Sequence, residues 1–515
     1  MSATDRYNAV TYLLDRNVEA GRGAKLAFTD TVSELTYGKL QSESRKLANM
    51  LKSLGVRREE RVAMMMLDTV DFPVVFLGAI RAGIVPVPLN TLLTAEQYAY
   101  VLADCRARVL FISEALLPVV KDVLGRMPDL AHVVVSGKDA HGHLRFADEI
   151  AKESDQFETV ATHRDEPAFW LYSSGSTGMP KGVRHLHSNL QATAETYAHQ
   201  VLGIRESDVC LSAAKLFFAY GLGNALTFPM SVGATTVLNS ERPTPASMFG
   251  LMRRYNPTIF YGVPTLFAAM LNDEAFKSEP RFPKLRMCTS AGEALPEAVG
   301  ETWKSRFGVD ILDGVGSTEL LHIFLSNAPG DIKYGTSGKP VPGYRVRLVN
   351  DAGADVPDGE VGELLVDAPS AAEGYWNQRS KSRQTFEGGW TRTGDKYMRD
   401  ADGRYTFCGR ADDMFKVSGI WVSPFEVESA LITHPAVAEA AVIAAADPEG
   451  LLKPKAFVVL KSGSQADGLH EALKEHVKTK IGPWKYPRWI EVVDGLPKTA
   501  TGKIQRFKLR DDTAA

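Results

Sequence analysis

Within twelve residues, Tyr172-Ser-Ser-Gly-Ser-Thr-Gly-Met-Pro-Lys-Gly-Val183 holds three serines, a threonine, three glycines and a lysine, directly after an apolar run. That combination suits an anion. Glycines let backbone N–H groups approach closely, while hydroxyls and an ammonium complete a phosphate cradle. The candidate phosphate-binding residues are Ser173, Ser174, Gly175, Ser176, Thr177, Gly178 and Lys181. The spacing after Gly175 does not give GxxxxGK[ST], which disfavours a P-loop nucleotidase. A shorter Ser/Gly run would read as a surface loop. The strand-like run in front and the embedded Pro180-Lys181-Gly182 argue for the phosphate role.

Such a loop has to be held by a framework, and the apolar pattern supplies one. Strand-like runs at Arg61–Leu67, Arg108–Ile112, His132–Val135, Ala168–Tyr172, Thr258–Val263 and Arg286–Ser290 alternate with amphipathic stretches. Short apolar runs between helical segments predict an α/β architecture with largely buried strands. From about Val341 the texture changes to short β runs broken by Gly, Asp and Pro, which predicts a β-rich subdomain. Ser423-Pro424-Phe425-Glu426 then reads as a capping box, with Val427 and Leu431 one turn apart on the inner face of a new helix. The expected organisation is a large multi-subdomain N-terminal α/β domain, 1–411, with that β-rich subdomain, and a small mobile α+β C-terminal domain, 412–515. A chain of 515 residues is too long for one core, in keeping with this division.

The loop at 172–183 resembles the phosphate-binding signature of the adenylate-forming superfamily, which includes acyl-CoA synthetases, peptide-synthetase adenylation domains and firefly luciferase. Further signatures resembling that family follow in order: Ser290-Ala291-Gly292-Glu293, Gly316-Ser317-Thr318-Glu319, Thr393-Gly394-Asp395, Gly409-Arg410-Ala411-Asp412 and Pro497-Lys498-Thr499-Ala500-Thr501-Gly502-Lys503. The resemblance spans essentially the whole chain, and the ordered set is far more specific than any one motif. Alone, the Asp of TGD reads as a turn residue and Lys503 as a solvated tail charge.

The resemblance implies a site for ATP or AMP formed by the phosphate loop with Ala291, Gly292, Glu293, Asp313, Gly314, Val315, Gly316, Ser317, Thr318, Asp395, Arg410 and Lys503. It implies Lys503, Thr318 and Glu319 as catalytic residues, Glu319 as the Mg²⁺ ligand and Asp412 as hinge. The chemistry is consistent. A carboxylate becomes an acyl donor by attacking the α-phosphate of ATP, and positive charge must offset the repulsion of two anions. Lys503 is suited to bridge them, Glu319 to hold Mg²⁺ against phosphates, and Asp395 to accept from ribose hydroxyls. Relatives often carry an aromatic residue where Val315 stands, so here apolar contact replaces stacking on adenine.

For the acid, the segments Asn8-Ala9, Asp15–Gly23, Lys215–Gly221 and Leu321–Asn327 resemble benzoate-CoA ligases. That resemblance walls the acyl pocket with Phe218, Ala219, Tyr220, Tyr261, Ala291, Gly316, His322 and Ile323, a set of aromatic and small residues suited to a flat ring. Phe217 reads as core, and His322 and Tyr220 are each able to hydrogen-bond a para hydroxyl, so 4-hydroxybenzoate stays open. CoA is the implied acyl acceptor, with Lys416, Ser418 and Gly419 beside its pantetheine arm. Similar C-terminal tails are commonly acetylated on the catalytic lysine, which implies a lysine acetyltransferase and deacetylase as partners at Lys503.

Other properties narrow the class. The formal net charge is -3, which gives no bulk attraction to nucleic acid. No apolar run reaches the roughly 18–20 residues of a membrane span, and no secretory leader is visible. Cys105, Cys210, Cys288 and Cys408 stand far apart, as expected of a reduced cytoplasmic protein. Homodimer and monomer are both open. The competing readings are a ligase for 4-hydroxybenzoate or another small acid, a luciferase-like oxygenase, and an ATP-binding scaffold without turnover.

Overall fold

The six apolar runs all become strands: Arg61–Met65, Ala107–Ser113, His132–Ser136, Pro167–Ser173, Ile259–Gly262 and Met287–Ser290. The computed structural model describes residues 6–173, 179–411, 413–417, 420–448, 451–461, 463, 468–483, 485–498 and 504–511. Ser174, Gly175, Ser176, Thr177, Gly178, Asp412, Ser418, Gly419 and Lys503 lie outside the described residues. Two compact units emerge from the packing, Met1–Arg345 with Asp367–Thr391, and Val346–Val366 with Arg392–Ala515. The division differs from the 1–411 and 412–515 boundary read from the sequence, because the β-rich stretch packs with the C-terminal section.

The first unit is built on three sheets. One has nine strands, in the order Lys339–Pro340, Ile323–Ser326, Ile311–Gly316, Met287–Ser290, Ile259–Gly262, Val209–Ser212, Thr235–Val237, Leu26–Thr29 and Glu34–Thr36. Its centre is parallel and its two edges are antiparallel. A second sheet is fully parallel and has Arg61–Met65 between Val85–Pro88 and Ala107–Ser113. Parallel strands covered on both faces explain the near-continuous apolar runs in the sequence. The third is the hairpin Pro167–Ser173 with Lys181–Leu186, joined at its edge by Gly374–Tyr375.

In the second unit, Val361–Asp367 lies between Arg345–Val349 and Trp390–Arg399, and Tyr405–Arg410 pairs antiparallel on the last of these. Further on, Val437–Ala446 and Leu452–Leu460 form a long antiparallel pair that Trp489–Val492 extends in parallel. Helix Pro424–Ile432 starts as read from the sequence: the Ser423 side chain accepts from Glu426 N at 3.2 Å, and Val427 and Leu431 are buried. Only half of the expected capping box forms. The Glu426 carboxylate turns to Lys485 Nζ instead, at 2.7 and 2.8 Å, an ion pair that gains more than a return bond to its own turn.

Candidate functional site

The candidate acyl-pocket residues of the first unit come from four places in the chain. Phe218, Ala219 and Tyr220 open the short helix Ala219–Leu222. The loop before it is fixed by polar bonds: Leu216 N donates to the buried Asp68 carboxylate, Lys215 Nζ donates to the carbonyls of Asn239 and Glu241, and Phe218 N donates to Lys215 O. Burial raises the Asp68 carboxyl to about 6. At Gly221 a Cβ would lie 2.0 Å from the Lys215 carbonyl oxygen, so the helix can start this close to the loop only with glycine there. Phe217 is buried in the core, as its position in the sequence suggested.

His322 comes from the connection between the antiparallel strands Ile311–Gly316 and Ile323–Ser326. That connection is tight. Leu321 adopts φ +66°, and a Cβ on Gly316 would lie 2.6 Å from the His322 carbonyl oxygen. Ser317 Oγ accepts from Leu320 N, and Ser370 Oγ donates to Leu320 O, which fixes the turn from both sides. The His322 ring is wedged among Tyr197, Tyr220 and Phe228, with centroids 5.3, 5.5 and 4.4 Å away. Its Nε2 lies 3.2 Å from the Tyr220 carbonyl, an acceptor, so Nε2 carries the proton and Nδ1 is the acceptor. Nδ1 is buried without a hydrogen-bond partner. Burial pulls the imidazole down to about 3, so the ring is neutral at physiological pH.

Two hydroxyls of the candidate pocket residues have neighbours within the protein. Tyr220 Oη is bound to Thr289 Oγ1 at 2.7 Å. Tyr261 is wholly enclosed, with its hydroxyl 3.9 Å from Cys210 Sγ on the neighbouring strand. Ile323 and Ala291 are buried apolar residues beside these groups in the sequence order of the strands.

The nucleotide candidates of the same unit line up on strand ends. Ser173 ends one strand of the third sheet's hairpin and is in register with Lys181 at the start of the other. Lys181 Nζ stands 4.9 Å from the Tyr375 ring centroid. Glu319 Oε1 receives bonds from Tyr375 Oη at 2.9 Å and Ser173 Oγ at 3.5 Å, so the phosphate hairpin and the Gly316–Glu319 turn converge on one carboxylate. Thr318 lies half-buried in the same turn. Gly292 turns the chain after strand Met287–Ser290 with φ +96°, between Ala291 and Glu293. Asp313, on the strand leading into Gly314, Val315 and Gly316, is 3% exposed and accepts from Leu295 N through Oδ2, while Oδ1 has no partner. Burial raises its carboxyl well above the usual carboxylate range.

In the second unit, Asp395 and Arg410 face each other in register on paired strands, and Arg410 Nη1 donates to Asp395 Oδ1 at 2.8 Å. Gly394 takes φ +72°, and a Cβ on it would meet the Arg410 guanidinium at 2.8 Å. Lys416 lies in strand Phe415–Val417. On either side of the 499–503 segment, Lys498 and Ile504 form an antiparallel bridge, and Gln505 N donates to Pro497 O. Just after it, Arg506 grips the buried Glu428 carboxylate at 2.6 and 2.9 Å and also reaches Asp413.

Sequence reasoning missed Tyr375, Thr289 and Glu428 as partners of these groups. No local pattern marks them, since each pairs with a residue 56, 69 or 78 positions away. Among the described residues no group of three or more His, Cys, Asp or Glu is arranged to hold a metal. A single carboxylate supplemented by phosphate oxygens is nevertheless a donor set that suits Mg²⁺.

A family model described as AMP-binding enzyme matches residues 14–376, and one described as AMP-binding enzyme C-terminal domain matches residues 426–503. The 4-hydroxybenzoate–CoA/benzoate–CoA ligase of Rhodopseudomonas palustris is 56% identical over 98% of this chain and 94% of its own length. The benzoate–CoA ligase of Thauera aromatica is likewise 56% identical, over 98% of this chain and 96% of that protein. Among solved structures, a benzoate CoA ligase from Burkholderia xenovorans LB400 superposes with a TM-score of 0.91 at 50% identity, covering 98% of this chain and 100% of that one.

Proposed function

Since the chain belongs to the family of AMP-binding enzymes, we propose that it is an AMP-forming benzoate–CoA ligase, converting benzoate, ATP and CoA to benzoyl-CoA, AMP and diphosphate through a benzoyl-adenylate. The observation that carries the choice of acid is the neutral His322 ring, clamped against Tyr220 at the end of a short aromatic wall. A flat ring suits such aromatic surfaces.

The chemistry follows from the charged groups. In the first half-reaction the benzoate oxygen attacks the α-phosphorus of ATP and diphosphate leaves. Lys503 lies between the two anionic reactants, where one ammonium offsets their repulsion. The Ser/Thr/Gly loop and Thr318 hold phosphate oxygens, and Asp395, oriented by Arg410, accepts from the ribose hydroxyls. Glu319 would hold Mg²⁺, which would offset the charge of the phosphates. Tyr375 and Ser173 hold that carboxylate by hydrogen bonds. In the second half-reaction the C-terminal segment turns about Asp412, the CoA thiol attacks the acyl carbon and AMP leaves. Lys416, Ser418 and Gly419 then lie along the pantetheine arm.

The test is diphosphate release with and without CoA across benzoate, 4-hydroxybenzoate, acetate and octanoate. We expect benzoate to give CoA-dependent turnover with benzoyl-CoA as product, and octanoate and acetate to be poorer by about 10–200-fold. Octanoate matching benzoate in kcat/KM sinks the aryl assignment. Light emission or oxidised product supports the oxygenase instead, and no turnover with any acid supports the scaffold.

A further inference from the structure

Residues 370–376 bind two neighbours at once. On one side, Gly374 and Tyr375 pair with Arg184 and Val183 of the phosphate hairpin. Glu373 N and Trp376 N donate to the carbonyls of Arg184 and Gly182 there, at 3.0 and 2.8 Å. On the other side, Ser370 Oγ donates to Leu320 O and Ala372 N to Glu319 O, both at 2.8 Å. The stretch is itself anchored: Trp376 Nε1 donates to Asp104 O at 2.9 Å, and the Trp376 ring lies 4.8 Å from that of Trp170. It forms a strap that sets the hairpin against the 316–319 turn.

Tyr375 adds to the strap something its backbone does not supply. The residue is 5% exposed and packs with Val183, Ala372 and Phe386. A phenylalanine would fill that cluster as well, and a buried hydroxyl is costly unless it is bonded. The Tyr375 hydroxyl donates to Glu319 Oε1 at 2.9 Å, the same oxygen that Ser173 Oγ reaches at 3.5 Å. The turn is already fixed through the carbonyls of Glu319 and Leu320, so this further bond fixes the carboxylate. Both side-chain donors address Oε1, and among the described residues none addresses Oε2. The face of the same ring receives Lys181 Nζ at 4.9 Å, so one side chain touches both charged groups of the candidate phosphate site.

We propose that Tyr375 is a positioning residue that sets the affinity of the phosphate site for its divalent cation, by orienting the Glu319 carboxylate before metal and ATP arrive. A free carboxylate loses rotational freedom when it takes a cation, and one already bonded has less to lose. Hydrogen-bonded partners of this kind tune metal affinity from outside the ligand set. The inference rests on the reading of Glu319 as the Mg²⁺ ligand and assigns the preorganisation of that ligand to a hydroxyl outside the expected site residues.

The experiment uses the full-length protein with no acid present, so that nothing turns over. Dissociation constants for ATP are measured by calorimetry in EDTA and with Mn²⁺, and their ratio reads the contribution of the metal to binding. In Tyr375→Phe that ratio falls by about 10–100-fold, while ATP binding in EDTA keeps the wild-type constant. The melting temperature drops by a few degrees at most, since the ring and its packing remain. Glu319→Gln, which removes the ligand itself, loses most of the ratio. A wild-type ratio in Tyr375→Phe together with a lost ratio in Glu319→Gln overturns the proposal, whether ATP binding as a whole is kept or weakened. A wild-type ratio in Glu319→Gln brings down the metal reading underneath, and is distinct from that result.

Discussion

The wall around His322 and the clamp around Arg506 position functional groups by different physics. His322 is placed by backbone and ring contacts: Gly316 and Gly223 leave no room for a Cβ, Leu321 takes a left-handed φ, and three aromatic rings enclose the imidazole. Helix Arg506–Asp511 is placed by charge, through the bidentate grip of Arg506 on Glu428, its reach to Asp413 and a second arginine, Arg510, on the same aspartate. Packed interiors are stiff and respond to a single methyl group. Ion pairs can be exchanged or broken without rebuilding a core. The wall around His322 is thus rigid, while the helix that follows the 499–503 segment is held by polar fastenings.

The largest effect expected from this contrast is at Lys503. Removing one well-placed electrostatic group typically costs 10²–10³ in rate, about 2.7–4 kcal/mol. Lys503→Ala should lose adenylation by at least that factor, while thioester formation from supplied benzoyl-adenylate falls by less than tenfold. Acetylated Lys503 should behave as the alanine variant does, since the charge is gone. Paired single-turnover assays decide it. Equal losses in the two half-reactions would break the division of labour.

On the rigid side, Gly223→Ala should act through packing alone. Its Cβ would sit 2.3 Å from His322 Cδ2, so the ring must be pushed away from the helix. Overpacking of this kind costs about 1–3 kcal/mol. We expect a melting temperature lower by several degrees and kcat/KM for benzoate down by about tenfold or more. A variant with wild-type stability and selectivity would show that the wall is softer than its contacts imply.

Asp412 is the proposed pivot between the two half-reactions. A few backbone torsions suffice to absorb a domain rotation, and proline fixes φ. Asp412→Pro should therefore reduce thioester formation more than adenylation, by about tenfold in relative terms. If both half-reactions drop together, the pivot lies elsewhere.

The sequence made the strands legible because parallel, doubly covered strands leave continuous apolar runs, as at Arg61–Met65 and Ala107–Ser113. The order of motifs along the chain was enough to place Ser173, Lys181, Gly316 and Glu319 in one neighbourhood. Partnerships across the fold were not legible. Nothing near Tyr220 in the chain announces that Thr289 takes its hydroxyl, and Tyr375 carries no local sign of reaching Glu319. The capping box failed halfway for the same reason, since Lys485, distant in sequence, outcompeted the local bond.

The smallest expected effect concerns pH, and it sharpens the description of His322 as a packed, neutral ring. Burial holds its imidazole down at about 3, against 6.5 unfolded. A depressed folded value means that the unfolded chain binds the proton first. The stability contributed is full above about 6.5 and is lost progressively as pH falls from there toward 3. His185 and His187, buried and lowered to about 4, share that behaviour, so the acid limb of the stability curve belongs to all three. His322→Gln removes one contributor. Unfolding free energies measured from pH 7.5 to pH 4.5 should therefore fall less steeply in the variant, with proton uptake on unfolding lower by up to one near pH 5. At pH 7.5 the variant should be the less stable of the two, because glutamine cannot reproduce the ring contacts with Tyr197 and Phe228. Identical slopes in the two proteins would mean that His322 is charged in the folded state, and the wall would then have to be described as electrostatic rather than packed.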